Sequence, residues 1–177
     1  MHLQRRNSNR LKDFDYSLPG AYFVTLVTQE RKPLFGKVNN EDVILNEIGN
    51  LAKAEWIKTT EMRKEVRRDQ FILMPNHLHA IIFIDYFGVN QPEYSTGEIR
   101  AHGRAPLRRR PRTLGSLVAA YKAATTRMIR GLFKDIELKV WQRNYYDHII
   151  RDQIDLDNIR EYITYNPLKL SSGEFLK

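Results

Sequence analysis

Residues 71–84 read FILMPNHLHAIIFI, two apolar runs rich in β-branched residues and parted only by Pro75 and Asn76. A helix across that proline would lose a hydrogen bond and meet a steric clash, and neither run is long enough for a typical helix. What remains is two strands, residues 71–74 and 77–84, paired as an antiparallel hairpin. Upstream, residues 21–28 (AYFVTLVT) have the aromatic and β-branched character of a buried strand. Asn39 and Asn40 can cap a helix over residues 42–63, where Ile44, Leu45, Ile48, Leu51, Ala52 and Trp56 recur at helical spacing. Downstream, Thr113 can cap a helix reaching about residue 133, with Leu114, Leu117, Val118, Tyr121 and Met128 inward. Residues 140–150 (VWQRNYYDHII) read as a fourth strand, and residues 152–166 as a last helix stopped by Pro167.

The order β-α-β-β-α-β-α predicts an α+β fold. It is a ferredoxin-like (RRM-like) βαββαβ antiparallel sheet with helices on one face, plus a C-terminal helix. Such a fold hosts many functions, so function has to be read from particular residues. The 177 residues suit one domain over 1–177, and 42% hydrophobic residues suffice for a core. The absence of cysteine excludes disulfides, thiolate metal sites, iron–sulfur clusters and cysteine nucleophiles. No apolar run approaches the ~18–20 residues of a membrane helix, so no membrane partner is expected. The basic stretch 1–12 lacks the apolar segment of a signal peptide, and the expected location is cytoplasmic.

Lys and Arg number 29 against 21 Asp and Glu, a net charge of +8 with a pI near 9.7. Nucleic acid is the polyanion such a surface suits first. The excess is concentrated. Residues 1–19 form a basic arm with Arg5, Arg6, Arg10 and Lys12. Residues 86–112 hold three of the nine glycines and three of the seven prolines without periodicity, which reads as a long surface loop. Its end carries Arg100, Arg104, Arg108, Arg109, Arg110 and Arg112 with no acid among residues 100–112. Guanidinium groups so placed suit phosphate, which they bind bidentately.

Chemistry points to the hairpin. On a strand, His77 and His79 project side by side from one face while Leu78 points into the core. Two half-exposed imidazoles in that arrangement can share a cation. On the last helix, Leu156, Ile159 and Ile163 form the buried stripe. Tyr162 and Asn166 lie about 40° apart on its flank, and Tyr165 falls about 180° from Leu156, on the outer side. Packed beside the His strand, the helix would bring a phenol and an amide to the two imidazoles. By chemistry alone, imidazoles suit a transition metal. His102 and His148 are not placed in the set.

The blocks MPNHLHAII (residues 74–82), VWQRNYYDHIIR (140–151) and YITYNP (162–167) together resemble the HUH single-tyrosine transposases. The likeness is greatest to their REP-associated tyrosine transposase branch, relatives of insertion-sequence transposases. The run SNRLKDFDYSLPGAYFVTLVTQERKPLFG (8–36) resembles that branch too, so the likeness spans about residues 5–170. It implies that His77 and His79 are metal ligands, that Tyr162 is the catalytic nucleophile, and that Asn166 is the third ligand. It also implies a divalent cation, Mg2+ or Mn2+, and single-stranded DNA with hairpin (palindromic) elements as substrate. One strand would be cleaved to a 5′-phosphotyrosine and a free 3′-hydroxyl, then rejoined by the reverse attack, as in DNA transposition and recombination. Insertion-sequence relatives exchange tyrosine helices in a homodimer, whereas this branch is compatible with a monomer. The competing expectation is a non-catalytic hairpin DNA- or RNA-binding module of the same fold. An RRM-like module stacks bases on aromatics of its central strands, where HLHAIIFI offers histidines and aliphatics.

Overall fold

The computed structural model describes residues 19–39, 42–85 and 112–171, with side chains through residue 168. Its elements are β1 (Gly20–Val27), β2 (Gly36–Asn39), β3 (Asp42–Leu45), α1 (Glu47–Glu61), β4 (Val66–Met74), β5 (His77–Ile84), α2 (Leu114–Phe133), β6 (Tyr146–Ile150), α3 (Gln153–Thr164) and α4 (Asn166–Ser171). The main sheet has the order β4-β5-β1-β6, with every pair antiparallel. Without the β2–β3 hairpin, this is the βαββαβ arrangement expected from the element order.

Strand alternation divides the sheet into two faces. Tyr22, Val24 and Leu26 of β1 and Leu78, Ala80, Ile82 and Ile84 of β5 lie under α1 and α2. Trp56 of α1 and Tyr121 of α2 meet over them edge to face at 5.0 Å. Gly49 allows α1 to start close to the chain at Phe35, since an added Cβ would collide with the Phe35 carbonyl oxygen. The opposite face presents Phe23, His79, Ile81 and Phe83, and α3 covers it with Leu156, Ile159, Tyr162 and Ile163. The last helix therefore forms a third layer, on the side away from α1 and α2.

Four boundaries differ from the sequence reading. Residues 42–45 are strand β3, so Ile44 and Leu45 leave the expected helix; α1 is capped by Asn46, whose side chain accepts from Gly49 N at 2.8 Å. Alternation of Asp42, Val43, Ile44 and Leu45 against β2 overrides the helical spacing. Asn39 ends β2 and caps nothing. β4 starts at Val66, five residues earlier than expected, because polar residues on its first half hid the strand. β6 begins only at Tyr146, and before it Trp141 makes a single bridge to Thr28. Finally, α3 stops at Thr164, and Asn166 and Pro167 open α4, where the missing proline N–H has no partner to lose. In α2, Thr113 caps as expected; Ile129 is fully buried, and Met128 only partly.

β4 carries a bulge between Arg68 and Phe71. Bulges re-aim side chains, and here Asp69 and Gln70 reach α3. Arg160 grips Asp69 with a fork, Nε to Oδ1 at 3.3 Å and Nη2 to Oδ2 at 2.5 Å. Gln70 Nε2 donates to Thr164 Oγ1 at 2.7 Å. Burial pushes the Asp69 carboxyl up, but the Arg160 fork and the Gln70 N–H outweigh it and hold it below its usual value. Because this clamp straddles Tyr162 in sequence, Asp69→Asn is expected to slow any reaction at Tyr162 by about tenfold to a hundredfold. Ligand affinity should stay within about twofold, and the swap Asp69→Arg with Arg160→Asp should restore part of the rate. Hydrogen exchange checks the cause, since α3 amides alone should lose protection.

Candidate active site

The tight turn at Pro75–Asn76 starts β5 with His77, and alternation puts His77 and His79 on the α3 face. Their rings lie 4.5 Å apart, edge to face. Leu78 is fully buried on the other side. His79 Nε2 is 3.4 Å from the Tyr162 hydroxyl, and His77 Nε2 is 3.3 Å from Asn166 Oδ1. The four side chains thus converge where α3 hands over to α4. His79 is only 4% exposed and stacks on Phe23 with ring centroids 5.3 Å apart, so the expected half-exposure is corrected for His79, over which α3 closes, while His77 keeps intermediate exposure. Asn166 is 6% exposed, while Tyr165 lies outside at 49%.

Burial pushes both imidazoles down, His77 to about 4 and His79 well below its ordinary value. Asn166 partly opposes this at His77, whereas Arg31 reinforces it there and His77 reinforces it at His79. Both rings are neutral at pH 7 and keep lone pairs. His77 Nδ1 lies 2.6 Å from Asn76 Oδ1, an oxygen that only accepts, so that nitrogen carries the proton. His77 Nε2 is then bare and faces the Asn166 amide oxygen, lone pair to lone pair. With the amide so oriented, a cation between them relieves the contact, and this is the sense in which the residues fit a metal. Among the described residues no group of three or more His, Cys, Asp or Glu could do so, which leaves the imidazoles and the amide. The Tyr162 phenol is raised by burial, and a hydrogen bond with Asn166 pulls it back in part. With His79 Nδ1–H donated to Thr25 Oγ1 at 2.8 Å, His79 Nε2 accepts from the phenol. That nitrogen cannot hold a cation and a phenol proton together.

The depressed imidazoles make stability depend on pH. The unfolded His77 titrates near 6.5 and the folded one near 4. Between those values the unfolded chain binds a proton that the fold refuses, so stability is full above pH 6.5, falls toward pH 4 and then levels off. His77 alone accounts for roughly 3 kcal/mol. Melting curves in chelator should show this decline, shallower in His77→Gln; equal slopes in both would contradict it.

No family model matches the chain. It is 38% identical over 170 residues to an uncharacterized protein of Haemophilus influenzae, covering 94% of this chain and 90% of that one. It is 25% identical to a second protein of the same organism, described as "Putative REP-associated tyrosine transposase", over 92% of this chain and 78% of that one. Among solved structures, a REP-associated tyrosine transposase bound to a REP hairpin superposes with a TM-score of 0.55 at 18% identity. The match covers 99% of this chain and 76% of that one and shows a shared fold. The motif resemblance to the HUH single-tyrosine transposases agrees with both likenesses, one in sequence and one in fold.

His77 and His79 of β5, Tyr162 of α3 and Asn166 of α4 come together. Of the ten basic residues expected to bind DNA, Arg5, Arg6, Arg10, Lys12, Arg100, Arg104, Arg108, Arg109 and Arg110 lie outside the described residues. Arg112 is described, with left-handed backbone (φ 61) just before the Thr113 cap. Two supporting residues are absent from the sequence expectation. Asn76 fixes the His77 proton and also donates to Arg31 O at 3.3 Å, and Phe23 floors the His79 ring. Asn76 sits beside His77 in MPNHLHAII, which is a signal; Phe23 gives none, since its facing His79 depends on the β1–β5 register. His148 pairs with Asp155 at 2.8 Å, away from the site.

Proposed function

We propose that the chain is a metal-dependent endonuclease and strand transferase acting on single-stranded DNA at hairpin elements, through a 5′-phosphotyrosine. The observation that carries the reading is the meeting of Tyr162 with His79, and of Asn166 with His77, in a buried site on the α3 face. In this reading Tyr162 Oη attacks the scissile phosphorus. The P–O3′ bond breaks, Tyr162 keeps the 5′-phosphate, and the leaving 3′-oxygen takes a proton. The ester conserves the bond energy, so a later 3′-hydroxyl can reverse the step without ATP.

A divalent cation, Mg2+ or Mn2+, held by His77, His79 and Asn166 would neutralise the phosphate and orient it for in-line attack. The chain does the rest. The Asp69–Arg160 clamp fixes the tyrosine helix, Asn76 keeps the His77 lone pair turned inward, and Phe23 and α3 exclude water. The substrate class is supported by the hairpin-bound structural neighbour and by the net charge of +8. Such an enzyme works on chromosomal DNA in the cytoplasm; no helix among the described residues is long and apolar enough to cross a membrane. Both a monomer and a homodimer are compatible with this reading. A non-catalytic binding module has no use for a half-buried phenol set against a neutral imidazole, His79, beside a second one. The test is incubation with hairpin-bearing single strands and Mg2+ or Mn2+. A protein–DNA adduct that survives denaturant, with a matching 3′-hydroxyl fragment, is expected; DNA bound without adduct under either metal contradicts the reading.

A further inference from the structure

A groove of about 860 Å3 runs between the second half of α2 and the chain at residues 134–143, on a helix remote from Tyr162. Lys122, Arg127, Arg130, Lys134, Lys139 and Arg143 line it, and no acid does. Asp135 and Glu137 stand in the same connection outside the lining, where Asp135 Oδ1 accepts from Glu137 N. Two of the six cations hold the groove together. Lys122 Nζ donates to the Gln142 and Asn144 carbonyls at 2.9 and 2.8 Å, and Arg130 Nε to the Leu138 carbonyl at 2.9 Å. Arg127, Lys134, Lys139 and Arg143 are exposed and pair with no carboxylate among the described residues. Ile136, Leu138, Val140 and Trp141 make an apolar lining between the charges.

The groove is tied to the site by the sheet. Gln142 N donates to Val27 O at 2.9 Å, and Val27 faces His77 in the β1–β5 register. Two strand spacings, about 10 Å of backbone, therefore separate the groove wall from His77. We infer that this groove, on the α2 side of the sheet, binds the sugar–phosphate backbone of DNA leading to or from the cleavage point, with Arg127, Lys134, Lys139 and Arg143 on phosphates and the apolar lining against deoxyribose. The inference rests on the DNA-cleaving reading for its ligand, but uses none of the residues of that chemistry. Contacts of this kind hold DNA without reading sequence.

The test compares wild type with Arg127→Ala/Lys139→Ala/Arg143→Ala, leaving the structural Lys122 and Arg130 in place. The probes are a fluorescent oligodeoxynucleotide carrying one hairpin with dT tails, and a scrambled-stem version. The log–log salt slope should flatten by about 2, at roughly 0.7 for each phosphate that is no longer neutralised. Affinity should fall on the order of tenfold near physiological salt, equally for both probes. The set Arg127→Lys/Arg143→Lys should keep the slope, which separates charge from misfolding. Unchanged slope and affinity in the triple Ala variant, or a loss confined to one stem, overturns the inference. Adduct formation at saturating DNA is scored separately. Wild type that binds with the full slope but forms no adduct fails the catalytic reading alone.

Discussion

Tyr162→Phe should abolish the covalent adduct completely while leaving hairpin affinity within about twofold. The substitution removes one oxygen. Its hydrogen bonds with His79 Nε2, long at 3.4 Å, and with Asn166 are lost, at a cost of about 1–3 kcal/mol that the fold can bear. The ring keeps its edge contact with Phe23 at 6.0 Å and its place beside Ile159 and Ile163. Without that oxygen no phosphotyrosine forms, and nothing nearby replaces it. Tyr165→Phe is the control, since Tyr165 lies on the solvent side of the α3–α4 junction. Loss of the adduct in Tyr165→Phe and its survival in Tyr162→Phe would assign the chemistry to the other tyrosine. Tyr162→Phe also frees His79 Nε2 from the phenol proton, so Mn2+ should bind at least as tightly as to wild type in calorimetry.

His77→Ala should reduce cleavage on the order of a thousandfold, the scale of several kcal/mol of phosphate charge stabilisation. Excess chelator should match that loss in wild type and be reversed by added Mn2+, whereas the variant should respond to neither. His77 is the cleaner probe of the two. His79 is 4% exposed and stacked on Phe23, so His79→Ala also opens a cavity and costs stability. Strand alternation by itself suggests two half-exposed rings and little cost at either; the cover that α3 provides makes the difference. Binding of the hairpin in chelator should persist in both proteins. Undiminished cleavage by His77→Ala in chelator would remove the metal from the account.

Local chemistry makes much of this legible. Pro75–Asn76 set the hairpin, and strand alternation then puts His77 and His79 on one face and Leu78 on the other. Thr113 caps α2 as its side chain suggests. What stays hidden depends on partners distant in sequence. The β3 residues Ile44 and Leu45 mimic the start of a helical stripe, and only pairing with β2 makes them a strand. The Asp69–Arg160 clamp needs both a bulge and a helix ninety-one residues away. Asn166 precedes a proline, which suggests the end of a helix, yet it opens a new turn, and that break in the chain carries its amide to His77.

The most direct measurement is peptide mapping of the adduct. Trypsin cutting after Arg160 and Lys169 releases one peptide with both tyrosines, EYITYNPLK. After nuclease digestion, fragmentation of that peptide locates the residual nucleotide phosphate. The account predicts it on Tyr162, present only when divalent metal was supplied; phosphate on any other residue, or on Tyr162 in full yield under chelator, would contradict it.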